Sequence, residues 1–198
     1  LEETLTDFEG AAGSVLTPSG LAAITTALLS CLSAGDHLLM IDTTYHPTRH
    51  FCDGMLKRLG ISTTYFDPLA GAGIEALIRP ETKAIYLEAP GSLTFEMPDI
   101  PAIVAVAKAR DLVVLMDNTW ATPLYFRPID HGVDLSIMAG TKYVVGHSDV
   151  MIGTVAASVR AWKGLKAAHG DLGLCVGPDD VYLALRGLRT LDVRLERH

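Results

Sequence analysis

The sequence predicts an α/β domain: a mostly parallel sheet with helices on both faces. Two observations predict it. Short apolar runs bounded by turn residues recur along the chain, and several are continuous rather than alternating, as in strands buried on both faces. Between them lie segments of helical periodicity, and strands that alternate with helices build parallel sheets.

The elements follow in order. The first helix is expected over 19–33 (SGLAAITTALLSCLS), with Ser19 as N-cap and Gly35 past its end. Strands are expected at 37–42 (HLLMID) and 61–66 (ISTTYF), with a helix over 48–59 between them. Further strands are expected at 83–88 (KAIYLE) and 112–117 (LVVLMD). They flank a helix over 99–110 that opens with Asp99 and carries Pro101 in its first turn, where a missing N–H costs nothing. Runs 134–138 and 151–156 close the strand set, and 188–198 (LRTLDVRLERH) is helical and Arg-rich. Asp42, Glu88 and Asp117 each end an apolar run. Ligands in such sheets bind outside the carboxyl ends of the strands, so three carboxylates are expected near one binding edge.

Composition narrows the function classes. Of the 198 residues 49% are hydrophobic and 20% charged, enough for a sizeable core. The formal charge of −7, with no Lys/Arg cluster, argues against nucleic acid and anionic membranes as partners. No apolar run is long enough to span a bilayer. The acidic start LEETLTDFEG lacks the marks of a signal peptide, so a cytoplasmic protein is expected. Cys31, Cys52 and Cys175 form no CxxC and are read as buried reduced thiols. With no initiator Met and no stop signal after the last helix, the chain reads as a piece of a longer one.

Four local patterns carry chemistry. In TPSGLAAI (17–24), Gly20 lets the backbone approach closely and the helix start offers free N–H groups. This is either an ordinary N-cap or a phosphate cradle. No GxGxxG and no GxxxxGK[ST] occurs. In VVLMDNTWATP (113–123), Asp117 follows a buried strand, a costly place for an unpaired carboxylate. It either caps the next turn or pairs with a protonated ring nitrogen. Tyr45 in DTTYHPTRH either packs on the core or stacks on a flat ring and acts as acid or base. His46 and His50 have helical metal-ligand spacing, but Pro47 intervenes and no third ligand is near, so no metal site is expected. Finally, Lys142 sits in IMAGTKYVVGHSDVMIG (137–153). Its apolar flanks suggest a desolvated amine with a lowered pKa, as Schiff-base chemistry requires. A helix start, an aromatic ring, a carboxylate and a lysine together are the parts of a pyridoxal 5'-phosphate (PLP) site.

The sequence resembles the Cys/Met-metabolism family of PLP-dependent enzymes, and within it the β-lyase branch. The carriers are SGLAAI (19–24), GDHLLMIDTTYHPTRHFC (35–52), FDPLAGAGI (66–74), LEAPGSLTFEMPDIPAIV (87–104), MDNTWATPLYF (116–126), AGTKYVVGHSDVMIG (139–153) and LRGLRTLDVRLERH (185–198). The resemblance implies the large domain of the fold type I PLP transferases, with a mixed, mostly parallel sheet. It implies that Lys142 binds the cofactor aldehyde, that Gly20 and Leu21 give backbone N–H groups to the phosphate, and that the Thr141 hydroxyl adds a bond. It implies that Tyr45 stacks on the ring and that Asp117 holds the ring nitrogen protonated. Lys142 and Tyr45 are the expected catalytic residues.

Many relatives carry Ser three residues before the lysine, where this chain has Ala139, and many γ-lyases and γ-synthases carry Asn-Pro after Glu-x-Pro, where it has Gly91-Ser92-Leu93. Both departures point to the β-lyase branch. The resemblance further implies L-cystathionine as substrate, a homotetramer built as a dimer of dimers, and residues 1–185 as the large domain. Residues 186–198 would begin a helix leading to a smaller C-terminal domain. The family's upstream Tyr/Arg pair and its carboxylate-gripping arginine would lie outside the chain. The alternatives are γ-elimination or γ-synthesis on the same cofactor, or a non-catalytic PLP-binding or dimerisation module.

Overall fold

The computed structural model describes residues 1–198. Helix α1 (Glu2–Glu9) leads into strand β1 (Gly13–Thr17), α2 (Gly20–Leu29) and β2 (His37–Ile41). Helix α3 (His46–Phe51) continues as a π turn over Cys52–Leu56 into β3 (Ser62–Phe66). A 3-10 segment (Gly71–Leu77) precedes β4 (Thr82–Glu88), followed by α4 (Ile100–Ala109), β5 (Val113–Asp117) and the short α5 (Thr122–Tyr125). After a 3-10 turn at Pro128–His131 come β6 (Leu135–Met138) and β7 (Gly153–Ala157). Helices α6 (Val159–Asp171), α7 (Pro178–Leu188) and α8 (Leu191–Arg197) close the chain.

The seven strands form one sheet in the order β1-β7-β6-β5-β4-β2-β3. All pairings are parallel except those of β7, which runs antiparallel between β1 and β6. The expected mixed, mostly parallel sheet is therefore what forms.

The continuous apolar runs have a direct structural cause. Side chains alternate across a strand, so a strand covered on both faces must be apolar at every position. Leu38, Met40, Tyr86 and Leu115 enter one core, with Ala23, Ile24 and Leu28 of α2 and Leu165 of α6. Leu39, Ile41, Ile85, Leu87, Val114 and Met116 enter the other, with Ile103, Val104 and Ala107 of α4. Truncating one of these leucines to alanine costs about 2–5 kcal/mol. A third cluster joins Leu5, Leu16, Val144, Val145, Val150, Ile152 and Ala184.

Some boundaries differ from expectation. Helix α2 stops at Leu29, not 33, because Ser30 and Cys31 turn their side chains back onto the carbonyls of Ala27 and Leu28. Ser19 does cap α2, its hydroxyl accepting the Ala22 N–H at 3.1 Å. Asp99 caps α4 in the same way through the Ala102 N–H at 3.0 Å. The last helical stretch is broken at Arg189–Thr190 into α7 and α8. Of the three cysteines, Cys52 is buried, but Cys31 is only partly so and Cys175 is exposed; all are free thiols. No helix is long and apolar enough to cross a membrane.

Candidate active site

The parallel strands β2, β4, β5 and β6 end on one edge of the sheet, and a cleft of about 1290 Å³ opens there. Gly20, Leu21, Tyr45, Asp117, Thr141 and Lys142 all line it. These residues come from four separate places in the chain, and the sheet edge brings them together.

The helix start is built for close approach. A Cβ on Gly20 would lie 2.6 Å from the Ala139 Cβ, so no larger residue fits without moving the backbone. Ser19 occupies the Ala22 N–H, and the first intrahelical bond runs from Ala23 N to Ser19 O. The N–H groups of Gly20 and Leu21 are left free at the positive end of α2, as the first turn of a helix requires.

Asp117 is buried at 8% exposure and has no cationic partner. Its Oδ1 accepts the Thr119 N–H at 2.9 Å, so it does cap the following turn. The Thr119 hydroxyl in turn accepts the N–H of Ala139 at 2.8 Å and ties this turn to the lysine loop. Burial raises the Asp117 carboxyl above its ordinary range, against the bonds from Thr119.

Directly beside it, Glu88 is the register partner of Asp117 on β4. Its Oε2 accepts the Tyr45 N–H at 2.7 Å and the Thr44 hydroxyl at 3.3 Å. Burial first, and the Asp117 charge second, push Glu88 up to about 8. The third strand-end carboxylate, Asp42, behaves differently: it is exposed and paired with Arg49. Tyr45 is 47% exposed, so its ring faces the cleft rather than the core.

The lysine loop corrects one expectation. Lys142 is exposed, so the desolvation inferred from its apolar flanks does not occur. Those flanks serve as anchors. Val144, Val145, Val150 and Ile152 are buried in the third cluster and hold the loop while Lys142 projects into the cleft. The loop is wound by bonds from Lys142 N to Ala139 O and from Gly146 N to Lys142 O. Thr141 is bonded within the same loop. Its hydroxyl donates to Ile152 O at 3.1 Å and accepts the Ile152 N–H at 3.0 Å, so its proton is already in use within the loop. His46 and His50 are exposed, and no group of three or more His, Cys, Asp or Glu side chains could hold a metal.

Sequence reasoning missed Thr119 and the bonding role of Glu88. The Asp-x-Thr spacing in "DNT" signals an Asp-anchored turn, which could have found Thr119. Nothing in the sequence shows that Glu88 reaches back to Tyr45, 43 residues earlier.

Known proteins are similar to this chain. A Rhizobium johnstonii protein, provisionally named a cystathionine beta-lyase, is 60% identical over 196 residues, covering 99% of this chain and 50% of its own. The Escherichia coli cystathionine beta-lyase MetC is 46% identical over 200 residues, covering 100% of this chain and 51% of its own. The crystal structure of a Lactobacillus plantarum cystathionine gamma-lyase, complexed with L-serine, superposes with a TM-score of 0.93 at 36% identity. That match covers 97% of this chain and 50% of the other. The chain thus spans about half the length of the relatives it matches. The family model for Cys/Met metabolism PLP-dependent enzymes matches residues 1–198, and the chain belongs to that family.

Proposed function

We propose that the protein is a PLP-dependent carbon–sulfur β-lyase that converts L-cystathionine and water to homocysteine, pyruvate and ammonia. The observation that carries the reading is the buried Asp117 carboxylate, without a cation, in the same cleft as the exposed Lys142 amine. The residues present fit the cofactor. A tight, cationic-end helix start suits a phosphate, and an uncompensated buried carboxylate suits a protonated ring nitrogen. When bound, PLP supplies the electron sink for the carbanion at Cα.

The chain's own residues do the rest. The N–H groups of Gly20 and Leu21 bind the phosphate. The Tyr45 ring would lie against the pyridine, and Asp117 would keep its nitrogen protonated. The Lys142 amine would hold the aldehyde carbon and, when free, would serve as the base at the substrate Cα. The same amine, with the Tyr45 phenol, protonates the departing sulfur. Thr141 contributes to the phosphate only by releasing Ile152 O. Its standing role is to shape the lysine loop.

The β-branch reading rests on the loop after β4. A Cβ at Gly91 would lie 2.5 Å from the Thr43 Oγ1 and 2.6 Å from the Thr43 Cβ, so Gly91 lets this loop close on the turn that leads to Tyr45. We further propose a cytoplasmic homotetramer, a dimer of dimers, acting on small amino-acid thioethers in methionine biosynthesis by transsulfuration. Residues 1–185 would be the large domain, and 186–198 would lead towards a smaller C-terminal one. Product analysis of the full-length protein on cystathionine tests the chemistry. Pyruvate with homocysteine is expected; 2-oxobutyrate would show γ-elimination instead.

A further inference from the structure

We propose that Glu88 is the positioning residue that sets the ring-face contact and the ring-nitrogen contact as one unit. Its carboxyl holds the Tyr45 backbone from the strand end beside Asp117. The inference rests on the cofactor reading above and adds a residue to it.

The geometry is specific. Two donors, the Tyr45 N–H at 2.7 Å and the Thr44 hydroxyl at 3.3 Å, converge on a single oxygen, Oε2. The other oxygen, Oε1, takes neither. Both bonds favour the charged carboxylate, but burial and the neighbouring Asp117 outweigh them and favour the neutral acid. The surroundings favour that state. Asp117 faces Glu88 from β5, Tyr45 from the loop after β2, and Tyr86 lies on the same face of β4 itself. Lys142 and Arg194 line the same cleft, yet Glu88 forms no ion pair with either.

A buried carboxylate and a half-buried one side by side resist ionising together. Glu88, pushed up to about 8, keeps the proton near neutrality. The pair then carries a single negative charge, available for a ring N–H. Above pH 8 a second charge appears beside Asp117, and the oxygens holding Tyr45 change character. Exposed as it is, Tyr45 has few other restraints on its backbone: its own N–H bond is this one, and its carbonyl caps α3.

Infrared difference spectra and PLP titrations of the full-length protein, unaltered and with Glu88→Gln or Glu88→Ala, test the proposal. Gln is neutral and keeps an oxygen acceptor for the Tyr45 N–H; Ala removes both. The unaltered chain should show a protonated-carboxyl C=O band at pH 7 that titrates away near pH 8 and is missing from Glu88→Gln. At pH 7 the Gln chain should keep PLP affinity within about twofold and the induced visible circular dichroism of bound PLP. The Ala chain should bind on the order of tenfold more weakly, as loss of a hydrogen bond to a charged or charge-adjacent group does. Above pH 8 only the unaltered chain should change its dichroism. Equal affinity and dichroism in all three chains, or no carboxyl band, would overturn the proposal while leaving the cofactor reading intact. Failure of the unaltered chain to take PLP on Lys142 would overturn both.

Discussion

Gly187 on α7 lies so close to the Val145 carbonyl that no Cβ fits between them. Val145 belongs to the lysine loop, three residues past Lys142, and is buried. Helix α7 therefore packs its backbone directly against the segment that presents the lysine. Gly187→Ala tests the contact. In an open helix this change would gain about 1 kcal/mol from propensity. Here the added methyl must displace a carbonyl, and overpacking of this kind costs about 1–3 kcal/mol. The expected result is a lower denaturation midpoint together with a lower yield of PLP on Lys142.

Gly20 poses the same question at the other side of the cleft. Its nearest obstacle is Ala139, at 2.6 Å from Cβ to Cβ and 3.0 Å to Cα. Backbone stands in the way, not the end of a flexible side chain. Gly20→Val should push α2 away from the turn after β6 and misplace the two free N–H groups. PLP affinity should fall at least tenfold in a titration, whereas affinity for pyridoxal without its phosphate should change little. An equal loss for both ligands would assign Gly20 to packing alone.

Glu9 on α1 is a buried acid outside the cleft. Its Oε1 accepts the Ser136 hydroxyl at 2.9 Å, and its Oε2 has no partner. Burial, the largest cause, raises it from 4.5 to about 7. A raised carboxyl binds its proton more tightly in the folded state. Its stabilising contribution is therefore full below pH 4.5 and is lost as pH rises through about 7. Glu9→Gln removes the charge and keeps an acceptor for Ser136. The variant should be more stable above pH 7 by roughly 2–3 kcal/mol, with the gap closing towards pH 4.5. Urea midpoints across this range measure it; a constant difference at every pH would contradict the titration.

The sheet's central strands were legible because burial on both faces leaves an unbroken apolar run, as at 37–41 and 113–116. Strand β1, Gly-Ser-Val-Leu-Thr, was not. It is fully buried, yet only Val15 and Leu16 are large and apolar. Its glycine is needed because Trp162 packs where a Cβ would stand, and its Ser and Thr are polar residues enclosed by neighbours that sequence does not reveal. Helix α6 was hidden by Gly164, Gly170 and a polar face that buries only Leu165. In the site, residue types and positions could be read, but their environments could not. Apolar flanks around Lys142 suggested burial of the amine, whereas they bury themselves and leave it exposed. Strand-end position marked Asp42, Glu88 and Asp117 alike. Only the fold separates the surface ion pair of Asp42 from the enclosed Glu88 and Asp117 pair.

The central claim is that Lys142 is the residue that PLP finds in this cleft. The most direct measurement is to incubate the chain with PLP, reduce with borohydride and map the modified peptide by mass spectrometry, alongside Lys142→Ala. The account predicts one dominant adduct, on Lys142, with the visible absorbance of the bound aldehyde lost in the variant. Adducts scattered over other lysines, or a variant whose visible spectrum is unchanged, would contradict it.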